Sequence, residues 1–497
     1  MKNSRVIQHL RELSPGELRR FEVFVASPYF NQNPKLINLI DWLVKLAPDF
    51  HEAGLDKHQL HKVLFGEEFP FHAQAVHDQC SQLLRLLERF LGYEHFGEEE
   101  LATFNHQLAA FSQRPLQEHA GRLVKKVQKS QEEFPYRNGH YYYHCFTTEF
   151  IKDTIAGKSS NRQIKGSLPQ AALNLDTFYL ATRLRLGCEM INRKNLKNTE
   201  YQNHFTEHLL QAIEQSENSL LEVPVIAIYY RIFLALTEAD QPKHYQKLVN
   251  LLYEHDHLFP RDEAYSMYAY AQNYCIRRIN QGDGQYLQAI FALYQRMLEN
   301  ELILDHGQLA HEHYKNITTV GLRTRQFKWV KSFLDQYRNR LHPDYRLNAY
   351  NYNLAVFHYE QQQYREAMKL LNSVNFTDIF YHLSAKSTLL KIYFELGDGD
   401  SLKYQIQAFR ALLKRNQQIP KYHVQTHQNL LKWISRLWQV KKKLTRPFDL
   451  EELHPKALNV VKELNQAKGT ANLRWLKKKA EELVKQSSGQ PVDQVVH

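Results

Sequence analysis

The sequence predicts an all-α protein: a right-handed α-solenoid of stacked helix pairs with an N-terminal helical domain in front of it. Three observations carry this reading. Gly (18) and Pro (16) make only 34 of 497 residues, roughly half the usual share of about 12%, so chain breakers are scarce. Apolar residues recur with a period of 3.6 in segment after segment, and alternating period-2 runs are almost absent. A helix–turn–helix unit then returns at nearly constant spacing along the second half. The hydrophobic fraction of 43% and charged fraction of 24% exclude disorder for most of the chain, and collagen-like and disulfide-scaffold classes with it.

The elements follow from their punctuation. Ser14-Pro15-Gly16 opens a helix, with Ser14 as N-cap and Pro15 at the first helical position. Ser27-Pro28 ends it, because the residue before a proline is pushed out of the α region. Asn33-Pro34 opens the next. The N-terminal helical domain spans 1–97, and its strongest helix, Gln79 to Leu91, places Leu83, Leu84, Leu87 and Leu91 on one face. A helical connector covers 98–156, with helices near 98–112, 115–133 and 139–156. A loop rich in Gly, Ser, Asn and Lys follows at 157–170 and ends around Pro169. The solenoid runs over 171–440, basic C-terminal helices over 441–486, and a frayed tail over 487–497.

The repeat is clearest after residue 300. Leu354, Ala355, His358, Tyr364, Ala367 and Leu371 mark one unit, with the small Ala355 and Ala367 allowing close helix approach. Leu389, Leu390, Tyr393, Gly397 and Leu402 take the equivalent places in the next, and Ile317, Gly321, Phe327, Val330 and Leu334 in the one before. The anchors Ile317, Leu354 and Leu389 are 37 and 35 residues apart. Two looser units fit upstream. Five exceed the roughly three that a stacked array needs to bury its faces. The 29 Tyr and 27 Phe lie largely at helical spacing, as packing between helices does.

These units resemble tetratricopeptide-like helical repeats, whose period is about 34 residues, over roughly 220–440; the late proline of that pattern is missing. The segment around Ser27, Pro28, Tyr29, Phe30 and Asn31 is similar to the recurring Ser-Pro-Tyr-Phe-Asn of a large family of uncharacterised bacterial helical proteins, and the similarity extends along nearly the whole chain. That resemblance implies a helical fold and carries no activity.

The first 13 residues have no apolar core of a signal peptide. The most apolar run, Val223 to Leu236, is 14 residues long and contains Arg231, so no membrane span is expected. Cys80, Cys145, Cys188 and Cys275 share no ligand spacing and read as reduced, buried thiols. A cytoplasmic location is expected. The net charge of +11 is uneven: from Lys403 onward there are 19 Lys+Arg against 7 Asp+Glu, so the rest of the chain is nearly neutral.

No phosphate loop, dinucleotide fingerprint or nucleophile elbow occurs. Gly282-Asp283-Gly284 and Gly397-Asp398-Gly399 read as turns between paired helices. Among 26 histidines the best metal-like spacing is His140 and His144, followed by Cys145 and Glu149; His423/His427 and His306/His311/His313 are others. At that density chance pairs are expected, so no metal, no cofactor and no enzymatic activity are expected. The leading expectation is a protein-interaction scaffold that takes a protein or peptide along a concave face lined by Lys315, Arg323, Tyr352, Tyr359, Lys391 and Phe394. The alternative is association with nucleic acid. It would run through Lys441, Lys442, Lys443, Arg446, Arg474, Lys477, Lys478 and Lys479, or through the N-terminal helical domain, where Asp56 to Gly92 has the helical half of a winged-helix reader.

Overall fold

The structure, a computed structural model, describes residues 4–114, 116–158, 168–197, 206–215, 219–372, 379–444 and 450–488. Among them are 23 α-helices and a single two-stranded hairpin, so the all-α expectation holds. None of the described helices is long and apolar enough to cross a membrane. The chain divides into two compact units. One holds Met1–Tyr230 with His257–Phe259, the other Arg231–Asp256 with Pro260–His497.

The first unit begins with α1 (Arg5–Arg11), α2 (Pro15–Ala26), α3 (Pro34–Val44), α4 (Lys57–Phe65) and α5 (Ala73–Glu98). Ser14 and Glu17 close a reciprocal capping box on α2, and Asn33 caps α3. α5 is the central rod, packed by the other four. Its buried stripe is Val76, Cys80, Leu83, Leu87 and Phe90. Leu91, expected on that face, is 38% exposed, because Phe90 and Leu86 take the core side of the last turns. A separate cluster of Phe104, Leu108, Ala120, Val124, Val127 and Ile155 joins α6 (Glu100–Ser112), α7 (Gln117–Glu133) and α8 (Gly139–Lys158). α9 (Leu168–Lys197) packs along α8, and α10 (Thr206–Gln215) follows. Most of the expected loop, 159–167, lies outside the described residues, as does 489–497 of the expected tail. All four cysteines are buried and free.

No wing follows α5. The chain turns directly into α6, so the winged-helix reading of Asp56 to Gly92 lacks its β-hairpin. The hairpin that does occur pairs Leu304–Asp305 with Gln308–Leu309 in the second unit. His306 and Gly307 both take positive φ at its turn, as a two-residue primed turn requires.

The second unit comprises α12 (Pro242–His255), α13 (Arg261–Asn280), α14 (Tyr286–Glu299), α15 (His311–Arg323), α16 (Phe327–Tyr337), α17 (Pro343–Glu360) and α18 (Tyr364–Asn372). It continues through α19 (Ile379–Leu396), α20 (Gly399–Arg415), α21 (Lys421–Leu444), α22 (Leu450–Gln466) and α23 (Leu473–Ser487). The last part of α11 (Pro224–Thr237) belongs to it as well. Each helix from α12 onward packs on its sequence neighbour, and α15, α17 and α19 also pack in succession. Four helix ends share one device. The N–H of Asp283, Gln326, Gln363 and Asp398 donates to the carbonyl five residues back, on Arg278, Gly321, His358 and Tyr393, at 2.9–3.1 Å. The residue between is left-handed each time: Gly282, Arg325, Gln362 and Gly397. These are Schellman turns, spaced by 43, 37 and 35 residues. After the last three, the second helix starts ten residues beyond Ile317, Leu354 and Leu389. Ala355 and Ala367 are fully buried, and a Cβ on Gly321 would meet Val330 Cγ2 at 2.5 Å.

Two of the four left-handed positions are not glycine. At Gln362 the conformation costs roughly 1–2 kcal/mol. Gln362→Gly is expected to raise the urea midpoint of unfolding slightly, since glycine's extra unfolded-state freedom of about 0.5–1 kcal/mol offsets part of that cost. Gln362→Val is expected to lower the midpoint by more, because a β-branched residue tolerates positive φ least.

Candidate functional site

The residues expected on a concave face come together in the second unit, but as interlocked side chains rather than an open lining. Lys315 on α15 donates from Nζ to Ser384 Oγ on α19 at 2.7 Å. The same ammonium lies over the rings of Tyr352 and Tyr381. Tyr381 donates its hydroxyl to His311 O at 2.8 Å. α15 and α19 therefore touch directly, with Tyr352 of α17 buried beneath them.

Further along, α23 covers the next level. The Trp475 ring meets Phe394 edge-on at 5.3 Å, and its Nε1–H donates to Glu395 Oε1 at 3.2 Å. Lys479 bridges Glu395 at 2.8 Å and Glu482 at 2.7 Å. Lys441 donates to Phe394 O at 2.5 Å, neutralising the carbonyl end of α19. Phe394 is 2% exposed and presents nothing to solvent, contrary to expectation. Lys441 and Lys479, expected as nucleic-acid contacts, are occupied within the protein. The reason lies in α23, whose Leu476, Ala480 and Leu483 enter the core shared with α19, α20 and α21 and carry Trp475 and Lys479 onto α19.

Lys391 is enclosed at the same level, its ammonium over the Tyr359 ring. Desolvation holds its pKa down at about 8, despite the opposing pull of Glu360 and Glu395. Tyr359 is driven well above its ordinary value by the same burial.

Arg323, Lys442, Lys443, Arg474 and Lys478 are exposed, Lys478 lying 4.0 Å from Glu482, and Lys477 is half-buried. Arg446 lies outside the described residues. Arg323 at the end of α15 is exposed as a whole, but its guanidinium is partly desolvated and is disfavoured further by the nearby Arg474 guanidinium. So one residue from each expected set falls in the same neighbourhood.

Two further constellations lie in the first unit. The Ser27–Asn31 segment joins α2 to α3. Asn31 is buried; its amide donates to Val25 O at 2.9 Å and its Oδ1 accepts from Asn33 N at 2.9 Å. Phe30 stacks on Phe24 at 4.1 Å and lies 5.0 Å from Tyr93 of α5. Tyr29 meets the Phe30 ring edge-on at 5.0 Å yet is 84% exposed, and Val23 at 70% and Tyr93 at 49% are exposed as well. Arg89 sits over Phe30, and the Arg20–Glu94 ion pair adds charge beside Tyr93. The second constellation is His140 and His144 on α8, whose Nε2 atoms are 3.2 Å apart. Desolvation and the neighbouring His140 lower the pKa of His144 to about 4. Glu99, at the α5–α6 junction, brings a carboxylate to the pair. The expected companions are placed elsewhere: Cys145 is buried, and Glu149 holds Lys152 at 2.7 Å.

No family model, curated protein or solved structure matches the chain.

The unfolded form of Lys391 titrates at 10.5 and the folded form near 8. Between those values the unfolded chain holds more protons, so this group's contribution to stability rises with pH. Lys391→Met is expected to raise the melting temperature at pH 7 and to do so by a smaller margin at pH 10. Equal margins would mean that the ammonium carries no burial penalty.

Proposed function

We propose that the chain is a non-enzymatic protein-interaction scaffold, with a tetratricopeptide-like right-handed array of helix pairs in its second unit. The array is supported by the recurring Schellman turns and by the constant distance from each anchor to its second helix. Four buried thiols without a disulfide accord with a reducing, cytoplasmic setting.

The observation that carries the interaction reading is the platform of Tyr29 and Tyr93, two exposed rings that each meet Phe30 at 5.0 Å. Large exposed aromatics beside arginine are what protein interfaces are enriched in. Asn31 and Phe30 account for the local fold, and Tyr29, edge-on to Phe30, leaves most of its ring in solvent for a partner to cover. The partner would present an apolar side chain to the rings and an acidic one to Arg89. Affinity capture from the host, run in parallel with unaltered chain and with Tyr29→Ser/Tyr93→Ser, tests this. A stoichiometric protein lost by ~tenfold or more in the variant is expected, as aromatic interface anchors imply. Retention at full level would remove the platform from the reading.

A second reading rests on Arg323 and Arg474, which have no acidic partner among the described residues. With Lys478 they could hold a phosphate backbone. Mobility shifts across a salt series are expected to weaken steeply with salt, and Arg474→Ala is expected to reduce the logarithmic slope by about one. No shift at low salt would end this reading.

A further inference from the structure

Two histidine pairs of equal sequence spacing, one in each unit, have different fates. In α21 the His427 ring turns back on its own helix, Nδ1 lying 2.7 Å from His423 O. In α8 the rings of His140 and His144 instead face each other through Nε2 at 3.2 Å, and a carboxylate from another element joins them. A tetrahedral ion with metal–nitrogen bonds of ~2.0–2.1 Å sets its ligand nitrogens about 3.3 Å apart. The ligand atoms of Glu99, His140 and His144 all lie within 4.8 Å of one another. Glu99 is half-buried, and its carboxylate also lies 3.6 Å from His95 Nε2.

The ring of His144 is also held from behind. Its Nδ1 lies 3.3 Å from the Asn105 amide, which is buried and accepts from Thr148 Oγ1 at 2.7 Å. Gln131 in turn donates to Thr148 at 2.8 Å. Such an outer shell fixes ring orientation at metal-bound histidines. With an ion on Nε2, the Nδ1 of His144 carries the proton and the Asn105 amide turns its oxygen toward it.

We propose that Glu99, His140 and His144 bind one divalent transition ion of the zinc type, with water as fourth ligand. The ion ties the α5–α6 junction to α8. Without it, the two rings share an Nε2–H···Nε2 hydrogen bond.

The test uses the full chain with Zn2+, titrated against a chromophoric chelator strong enough to strip scattered surface histidines, and with Co2+ as a spectroscopic probe. One equivalent per chain and an intense visible Co2+ band of four-coordinate type are expected. His140→Ala and Glu99→Gln change an exposed and a half-buried side chain, so the fold is retained, as circular dichroism checks. Each is expected to weaken Zn2+ binding by at least ~tenfold, and Zn2+ is expected to raise the melting temperature of the unaltered chain but not of these two variants. His423→Ala is expected to bind as the unaltered chain does. Equal affinity of His140→Ala, Glu99→Gln and the unaltered chain, or no saturable site, would overturn the proposal and leave the ring-to-ring hydrogen bond as the whole account.

Discussion

A left-handed residue followed by a 6→1 hydrogen bond decides where α14, α16, α18 and α20 of the second unit begin. Once the chain has turned at Arg325, Gln362 or Gly397, the direction of the next helix is set, and with it the face it offers. Val330, Ala367 and Leu402 then meet the stripe left open by the preceding helix. The close approach at Gly321 and the two fully buried alanines have value only because the turn delivers the second helix at that height. A turn of another kind would keep the same apolar residues and lose their partners.

Much of this was legible locally. Ser14 with Glu17, and Asn33 before Pro34, are caps whose donors and acceptors lie within three residues, so the sequence contains both halves of each interaction. The turns at Gly282 and Gly397 were readable because glycine advertises positive φ. Those at Arg325 and Gln362 carried no such mark and were recoverable only through the 37- and 35-residue steps. The hairpin escaped because two residues per strand cannot display a period of two.

The candidate sites were less legible, for a different physical reason. Which side chains of α17 and α19 reach solvent is settled by α23, about 80 residues after Phe394, since Trp475 and Lys479 descend on them from a helix anchored by its own apolar stripe. Helical spacing marks a face and leaves open what covers it. His140 and His144 could be paired from their spacing, but Glu99 precedes His140 by 41 residues and arrives through the packing of α6 on α8. Tyr29 was visible as part of a motif. Its separation in role from Asn31, which ties the helices together, needed the hydrogen bonds.

The internal placement of Lys315, Lys391, Lys441 and Lys479 alters how the basicity of this chain should be understood. These ammonium groups face hydroxyls, carbonyls, carboxylates and ring faces of the same molecule, so they are engaged in holding helices together, while their charge still adds to the field of the whole. Of the cations expected to contact a ligand, the exposed ones are Arg323, Arg474, Lys442, Lys443 and Lys478, and close contact with an anion would fall to them. The isoelectric point of about 9.1 thus reports charge summed over the whole molecule, whereas direct contact with an anion depends on which of those groups the helices leave at the surface.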